Sequence, residues 1–486
     1  MSTLSPRPVK RRIGMASWCL ILAFVGAGVA SLTGILHSWG LPENIPHLEL
    51  MWYIPATGLG LVVWKRRTGN DWGAPLLLAV LLPLVGLLWV DPTERGRGLL
   101  IAASLSMVLP LSLLIKETRS HLLCVVVFLG SSAMNLLLTL VYSAGQGEQF
   151  GRMGTVILED YGRVTNANQF GGQMAAATVL TLALGVALFR LPREQISRSV
   201  QFMRVLVIGS VGAFTFGVVA SASRGALSAL SISVATLIVF AAINVTKKAV
   251  LCCLVIGSMG IFFPGSGVLD RVLTRVQDVA EVRSAGDRLP IWESALSTWL
   301  ANGRFLLIGV GTGGVDKAVV ENSTVDLFPV VGQDMIARKS AHSTYVEWGL
   351  SYGVCGMLIG AALLVSLFQR SWKADRRDQN YGRIALLTFY LVISLTNVTY
   401  RAPYAIGFQA LLLAYLLPSR RPLWKHRITG ASNDGGRSGR RSCVATRGAR
   451  DMGRAAGRSR HYRISNALRN EKTPAQRKPR HNGNFR

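Results

Sequence analysis

Apolar runs separated by short polar breaks recur from residue 14 to residue 417. They fall at Gly14 to Leu36 and then at about 48 to 64, 73 to 90, 98 to 115, 122 to 142, 169 to 189, 205 to 222, 226 to 243, 249 to 264, 344 to 368, 384 to 398 and 403 to 417. A bilayer core needs roughly 20 apolar residues per helix, so the pattern predicts twelve membrane-spanning helices. The first run follows Arg7, Lys10, Arg11 and Arg12 in the manner of a signal peptide. It is longer than the roughly 7 to 15 residues of a signal core and reads as a retained first span.

The polar breaks give a direction to the spans, because cytoplasmic loops are enriched in Lys and Arg. With the N-terminus inside, the inner loops hold Lys65-Arg66-Arg67, Lys116 with Arg119, Arg190 to Arg204, Lys247-Lys248 and Arg370 to Arg383. Outer loops are poorer: His37 to Glu49 has no Lys or Arg, and Arg95 and Arg97 are offset by Asp91 and Glu94. The alternation predicts both termini in the cytoplasm and two long outer loops, about 143 to 168 and 265 to 343.

Val205 to Ile243 is the stretch around which the rest is organised. Its 39 residues carry one charge, Arg224, in the middle of Ser221-Ala222-Ser223-Arg224-Gly225-Ala226. That length fits two spans and a tight turn. A charge at mid-bilayer would cost about 2.5 to 3.5 kcal/mol even on the lenient insertion scale, which places Arg224 at the turn, on the outer face. Such an arginine reads either as a side chain snorkelling to lipid phosphates or as a functional group.

Within the second long loop, Asp287-Arg288-Leu289-Pro290-Ile291-Trp292-Glu293 has the composition of a helix start, with Gly303 as a stop. Trp292, Ala295, Leu296 and Trp299 recur at helical spacing and predict one apolar face. The loop ends in Ala341-His342-Ser343-Thr344-Tyr345-Val346-Glu347. Thr344 and Glu347 fit a capping box opening the tenth span, which puts His342 just before a helix N-terminus.

Composition agrees with this reading. Half of the 486 residues are hydrophobic, as expected of an all-α polytopic membrane protein. The six cysteines have neither zinc-ligand spacing nor the look of a secreted disulfide framework. The net charge of +28 is concentrated: residues 418 to 486 hold 19 Lys and Arg against three acids. From 430 onward this tail lacks hydrophobic periodicity and reads as a disordered cytoplasmic extension. It suits attraction to the anionic inner leaflet. RNA attraction asks for little more than the same charge, yet no motif specifies a nucleic acid.

Gly309-Val310-Gly311-Thr312-Gly313-Gly314 matches the dinucleotide fingerprint but lacks the strand–turn–helix setting that gives the fingerprint meaning. It predicts a flexible loop through which backbone approaches a ligand or a neighbouring helix. Three outer-face features remain: Arg224, Arg288 and His342. Guanidinium forks and helix N-terminal amides suit a diphosphate, and a histidine beside them suits proton transfer from an attacking hydroxyl. Each also has an ordinary structural reading.

In order, Ser223-Arg224-Gly225-Ala226, Arg288 with Trp292, Gly309-x-Gly311-x-Gly313, and His342 with Tyr345 and Gly349, then Gly353 and Gly356, resemble the O-antigen ligase and polymerase superfamily over about residues 150 to 365. Arg163 to Phe170 is similar to the Arg-then-Asn segment of that superfamily. Ser343 stands where the superfamily often has Asn, and Ala167-Asn168 where it often has Pro-Asn.

The resemblance implies a metal-independent, inverting glycosyltransferase of GT-C-like membrane type at the periplasmic face of a bacterial inner membrane, with no cofactor. It implies a polyprenyl diphosphate-linked glycan as donor and a lipid or saccharide as acceptor. Arg224 and Arg288 would hold the diphosphate, His342 would orient or deprotonate the acceptor, and Arg163, Asn168 and Glu347 would contact substrate. A polymerase shares these motifs. A transporter also fits twelve spans, but the chain lacks the internal repeat and mid-membrane charges expected of one.

Overall fold

The computed structural model describes residues 14–28, 48–65, 74–117, 120–145, 155–159, 162–191, 196–241, 288–322, 343–378, 381–396 and 403–416, with a few positions between 246 and 253. Nearly all of the span expected at 249 to 264, parts of the first long loop, most of the second, His342 and the basic tail from 418 lie outside these residues.

Eleven of the apolar runs coincide with helices. They are α1 (Met15–Gly28), α2 (Leu48–Lys65), α3 (Ala74–Val85), α4 (Arg95–Glu117), α5 (His121–Gly145), α6 (Ala167–Phe189), α7 (Arg198–Ala220), α8 (Arg224–Phe240), α12 (Thr344–Asp378), α13 (Gly382–Thr396) and α14 (Pro403–Leu416). Between α8 and α12 lie three shorter helices, α9 (Arg288–Ala301), α10 (Gly303–Ile308) and α11 (Val315–Asn322). Among the described residues, five helices are long and apolar enough to cross a bilayer, with α3, α8 and α13 among shorter apolar ones. The protein is a helical membrane protein.

The first departure from an all-α reading is a hairpin ahead of α6, in which β1 (Thr155–Glu159) pairs antiparallel with β2 (Gly162–Asn166). Thr155, Val156 and Ile157 stand opposite Asn166, Thr165 and Val164. This concentration of β-branched residues favours a pleated surface over a helical turn. A second departure concerns helix ends, since α7 starts at Arg198, well before the apolar run. Ser197 caps it by accepting from Val200 N, and Arg204 donates to the Leu188 carbonyl at 2.9 Å with its guanidinium over the Phe189 ring. A polar first turn is therefore satisfied locally before the apolar run begins.

The main core joins α1, α2, α4 to α8, α13 and α14 around side chains such as Phe24, Phe128, Phe170 and Phe389. A smaller cluster of Ala295, Val310, Val315, Ala318 and Leu350 ties α9, α11 and the Gly309–Gly314 loop to the start of α12. Contacts between polar connections sort into two ends of the bundle. At one end Asp91 meets Lys317, Arg97 meets Asp316, and Ser223 meets Asn168. At the other, Ser17 meets Ser120, His121 meets the Ala414 carbonyl, and Asp375 meets Arg383.

One backbone feature shapes the first end. Gly353 interrupts α12 with φ 63° and ψ −160°, a conformation closed to residues with a Cβ. The break removes the regular i+4 partners of the preceding carbonyls. Val310 N donates to the Leu350 carbonyl at 2.9 Å and Gly311 N to the Ser351 carbonyl at 3.0 Å. The glycine-rich loop thus approaches a neighbouring helix, which resolves the two possibilities left by its sequence. Gly311 has φ 93°, and a Cβ there would lie 2.7 Å from the Gly86 carbonyl oxygen. Thr312 completes the seam: its hydroxyl is 2.7 Å from the Pro83 carbonyl and 3.1 Å from Tyr352 Oη.

Buried and exposed contacts at this seam differ in weight. Thr312→Val would leave the buried Pro83 carbonyl without its donor, a cost of about 1 to 3 kcal/mol. Lys317→Ala would remove a partly exposed pair that solvent screens and that contributes little. Thermal unfolding of the full-length protein in detergent should show a clear fall in melting temperature for the first variant and little change for the second. Equal shifts would mean that the seam is not where the stability lies.

Candidate functional site

The α7–α8 turn is built by its own side chains. Ser221 Oγ donates to the Val218 carbonyl at 2.6 Å and accepts from Ser223 N at 3.2 Å. Ser223 is the N-cap of α8, its hydroxyl accepting from Ala226 N at 3.4 Å. Ala222 between them takes φ 48°, a left-handed conformation costing about 1 to 2 kcal/mol for a residue with a side chain. The reward is position. Arg224 becomes the first residue of α8, exposed, directly after a buried cap.

Ser223 also reaches out of its hairpin. Its hydroxyl donates to Asn168 Oδ1 at 3.0 Å across 55 residues. Asn168 lies in the first turn of α6, which continues directly from β2. Arg163 is in β2, paired with Leu158 of β1. The fold therefore brings Asn168 and Arg224 together through Ser223 and attaches the Arg163 strand to the same junction. One turn and a half deeper in α6, Gln173 accepts from Asn135 Nδ2 at 2.8 Å and donates to Ser132 Oγ at 3.3 Å. Ser223 opens a motif legible in the sequence, but its bond to Asn168, like the role of Gln173, was not, because the partners are on other helices.

A second group gathers at the start of α12. The helix begins at Thr344, so Ser343 occupies the cap position and its carbonyl accepts from Glu347 N at 3.0 Å. The expected capping box with Thr344 as the cap is thus displaced by one residue. Glu347 is 1 % exposed in the first helical turn, where the N-terminal end of the helix dipole favours a carboxylate. It is a buried carboxylate at a helix mouth, one turn from the position of His342. His342 itself lies outside the described residues.

Arg288 opens α9, as the sequence predicts. The helix ends at Ala301 instead of running to Gly303. Asn302 caps a new helix, α10, through its Oδ1 and Arg304 N at 2.9 Å. Ala295 and Trp299 pack on the small core, with Trp299 Nε1 donating to the Leu306 carbonyl at 3.3 Å. Leu296, expected on the same face, is exposed, while Ser294 and Thr298 are buried. Their hydroxyl groups are compatible with burial because Thr298 Oγ1 bonds the Ser294 carbonyl at 2.8 Å within the helix.

Helix α13 lies between the two groups. Thr396 at its end rests on Gly225, where any added Cβ would collide with the threonine hydroxyl. Tyr345 of α12 donates to the Leu391 carbonyl at 3.0 Å. Five residues of helix are about 7.5 Å, so a short length of α13 separates the contact of the Arg224 turn from that of the α12 start.

The surrounding charges are paired across loops. Arg97 binds the buried Asp316. The Thr93 hydroxyl and then the Lys317 ammonium hold the Asp91 carboxyl well below the usual carboxylate range. Asp91 and Glu94, which offset Arg95 and Arg97 in the linear charge count, thus belong to a mixed seam with the 309–317 segment.

No curated protein matches the chain. Residues 206–361 match the family model described as O-antigen ligase. The matched span holds the α7–α8 turn with Arg224, the whole of α9 to α11, the start of α12 and its break at Gly353. Arg163 and Asn168 precede it. Over these residues the chain is thus similar to the O-antigen ligase family, in agreement with the order of the motifs along it.

Proposed function

We propose that the protein is a glycosyltransferase that moves a glycan from a polyprenyl diphosphate carrier to an acceptor hydroxyl at the periplasmic face of the inner membrane. In this reading twelve spans form a GT-C-like bundle with both termini cytoplasmic. Residues 14 to 417 are the membrane domain, and the basic tail meets the anionic inner leaflet. The observation that carries the reading is the Ser223 to Asn168 hydrogen bond, which seats an arginine-led helix N-terminus beside the Arg163 and Asn168 segment.

Chemically, the acceptor oxygen attacks the anomeric carbon while the bond from that carbon to the diphosphate oxygen breaks. The configuration at carbon inverts. The acceptor proton passes to His342, with Glu347 as the buried carboxylate that supports it or takes its place. Negative charge grows on the departing polyprenyl diphosphate and is met by Arg224, by Arg288 and by the first amides of α8. Arg163 and Asn168 contact carrier or glycan. The preference for guanidinium follows from its planar fork, which pairs with two phosphate oxygens at once.

Alanine variants of Arg224, Arg288 and His342 are each expected to lower transfer at least about a hundredfold, in the range of losing one oxyanion-stabilising donor or a general base, with membrane expression kept. Product gels from purified protein and polyprenyl diphosphate-linked glycan are the measurement, and full activity in all three variants refutes the site. With lipid A core added, a single acceptor-dependent shift indicates a ligase. Laddering without it indicates a polymerase.

Ser223→Ala separates positioning from folding. Loss of its hydroxyl bond to Asn168 should raise the KM for the donor more than it lowers the melting temperature. A variant with wild-type donor KM would detach Asn168 from the carrier site.

A further inference from the structure

The bend in α12 leaves a cavity of about 270 Å³ on its inner side. Thr344, Tyr345 and Trp348 line it from above the break, and Met357, Gly360 and Leu364 from below. Side chains of α3, α4, α13 and α14 close the remaining walls. The wall is almost wholly apolar, and its polar groups are occupied. Tyr345 Oη donates to the Leu391 carbonyl, and Gln409 Nε2 donates to Tyr390 Oη at 3.0 Å. A ligand with buried polar atoms would find no partner and would pay for its desolvation. Hydrocarbon meets no such penalty.

Two features fix the shape of the occupant. A Cβ on Gly360 would lie 3.4 Å from Trp348 Nε1, so the glycine and the indole are neighbours on the wall and the missing side chain leaves the space beside the indole open. Met357, which lines it, is 39 % exposed, and Leu358 and Val365 beside it are also exposed. The cavity thus opens sideways onto an apolar surface of a spanning helix, where lipid is the solvent.

Its location relative to Arg224 decides which lipid. Thr396 touches Gly225, whereas Ser394 lines the cavity. Two residues turn an α-helix by about 200°, so α13 presents these side chains to nearly opposite sides. A diphosphate at Arg224 would sit on the Gly225 side of α13. The cavity lies across α13, with its upper end at Thr344, next to Ser343 and one turn from Glu347. Resting on the transfer reading above, we propose that this cavity holds one acyl chain of a lipid-anchored acceptor and so brings the acceptor hydroxyl to the mouth of α12.

The test uses the full-length protein in detergent or nanodiscs with the polyprenyl diphosphate-linked glycan as donor. Acceptors are an acylated core glycolipid and the same core oligosaccharide with its acyl chains removed. Gly360→Leu fills the cavity, and Met357→Trp narrows its opening should the first variant fold poorly. Either should raise the KM for the acylated acceptor about tenfold, the effect of losing one or two buried methylenes, while the donor KM moves less than about twofold on the same scale. An equal rise in donor KM, or no change for the acylated acceptor, overturns the proposal.

Photolabelling reads the cavity without turnover. A core glycolipid with a diazirine in its acyl chain should label the 344–367 peptide in the wild type and not in Gly360→Leu. Labelling of that peptide by a diazirine in the polyprenyl tail, or by neither probe, also overturns it. Absence of transfer with acyl labelling intact would refute the enzymatic reading and leave the acyl-chain site standing.

Discussion

Two backbone carbonyls, those of Leu350 and Ser351, govern the architecture of the candidate site. A helix broken at membrane depth exposes polar groups that lipid cannot satisfy, at several kcal/mol for each group. Here the break at Gly353 is tolerated because Val310 and Gly311 supply the missing donors. The exchange has a structural return on both sides. The glycine-rich loop gains a fixed course, and the first residues of α12 become a separately oriented piece. The loop helices α9 and α11 then pack on that piece through the small core around Leu350.

The charges at this end serve the same closure. Asp316 is buried and paired with Arg97, whereas Lys317 and Asp91 form a partly exposed pair. Removing one partner from a buried pair costs far more than breaking an exposed one. The connection between α3 and α4 is therefore held to the 309–317 segment chiefly by Arg97, with Thr312 beside it. Glu347 is a different case, a carboxylate that the fold buries in the first turn of a helix, where the dipole favours it.

The candidate site has two supports of different origin. The Arg224 turn is held by short-range serine contacts and by one hydrogen bond to α6. The α12 start is held by a loop from another part of the chain. Helix α13 touches both, through Thr396 and through the Leu391 carbonyl. Its end therefore ties the two groups together through one helix.

The sequence by itself determined the positions of eleven apolar helices, the α7–α8 hairpin and the start of α9. Each is a local quantity: the transfer free energy of about 20 residues, the cost of one buried charge, or the composition of a first turn. The ordered motifs also located the candidate residues, and the family match covers most of them. Boundaries were less legible. The one-residue shift of the α12 cap, the cap at Asn302 and the exposure of Leu296 follow from competition among local hydrogen bonds and neighbouring helices that hydropathy does not encode. Only the tertiary structure could pair Thr312 with Pro83, 229 residues away, or turn Glu347 inward. Such contacts depend on which helices become neighbours, and that is settled by packing of the whole bundle rather than by any stretch of chain within it.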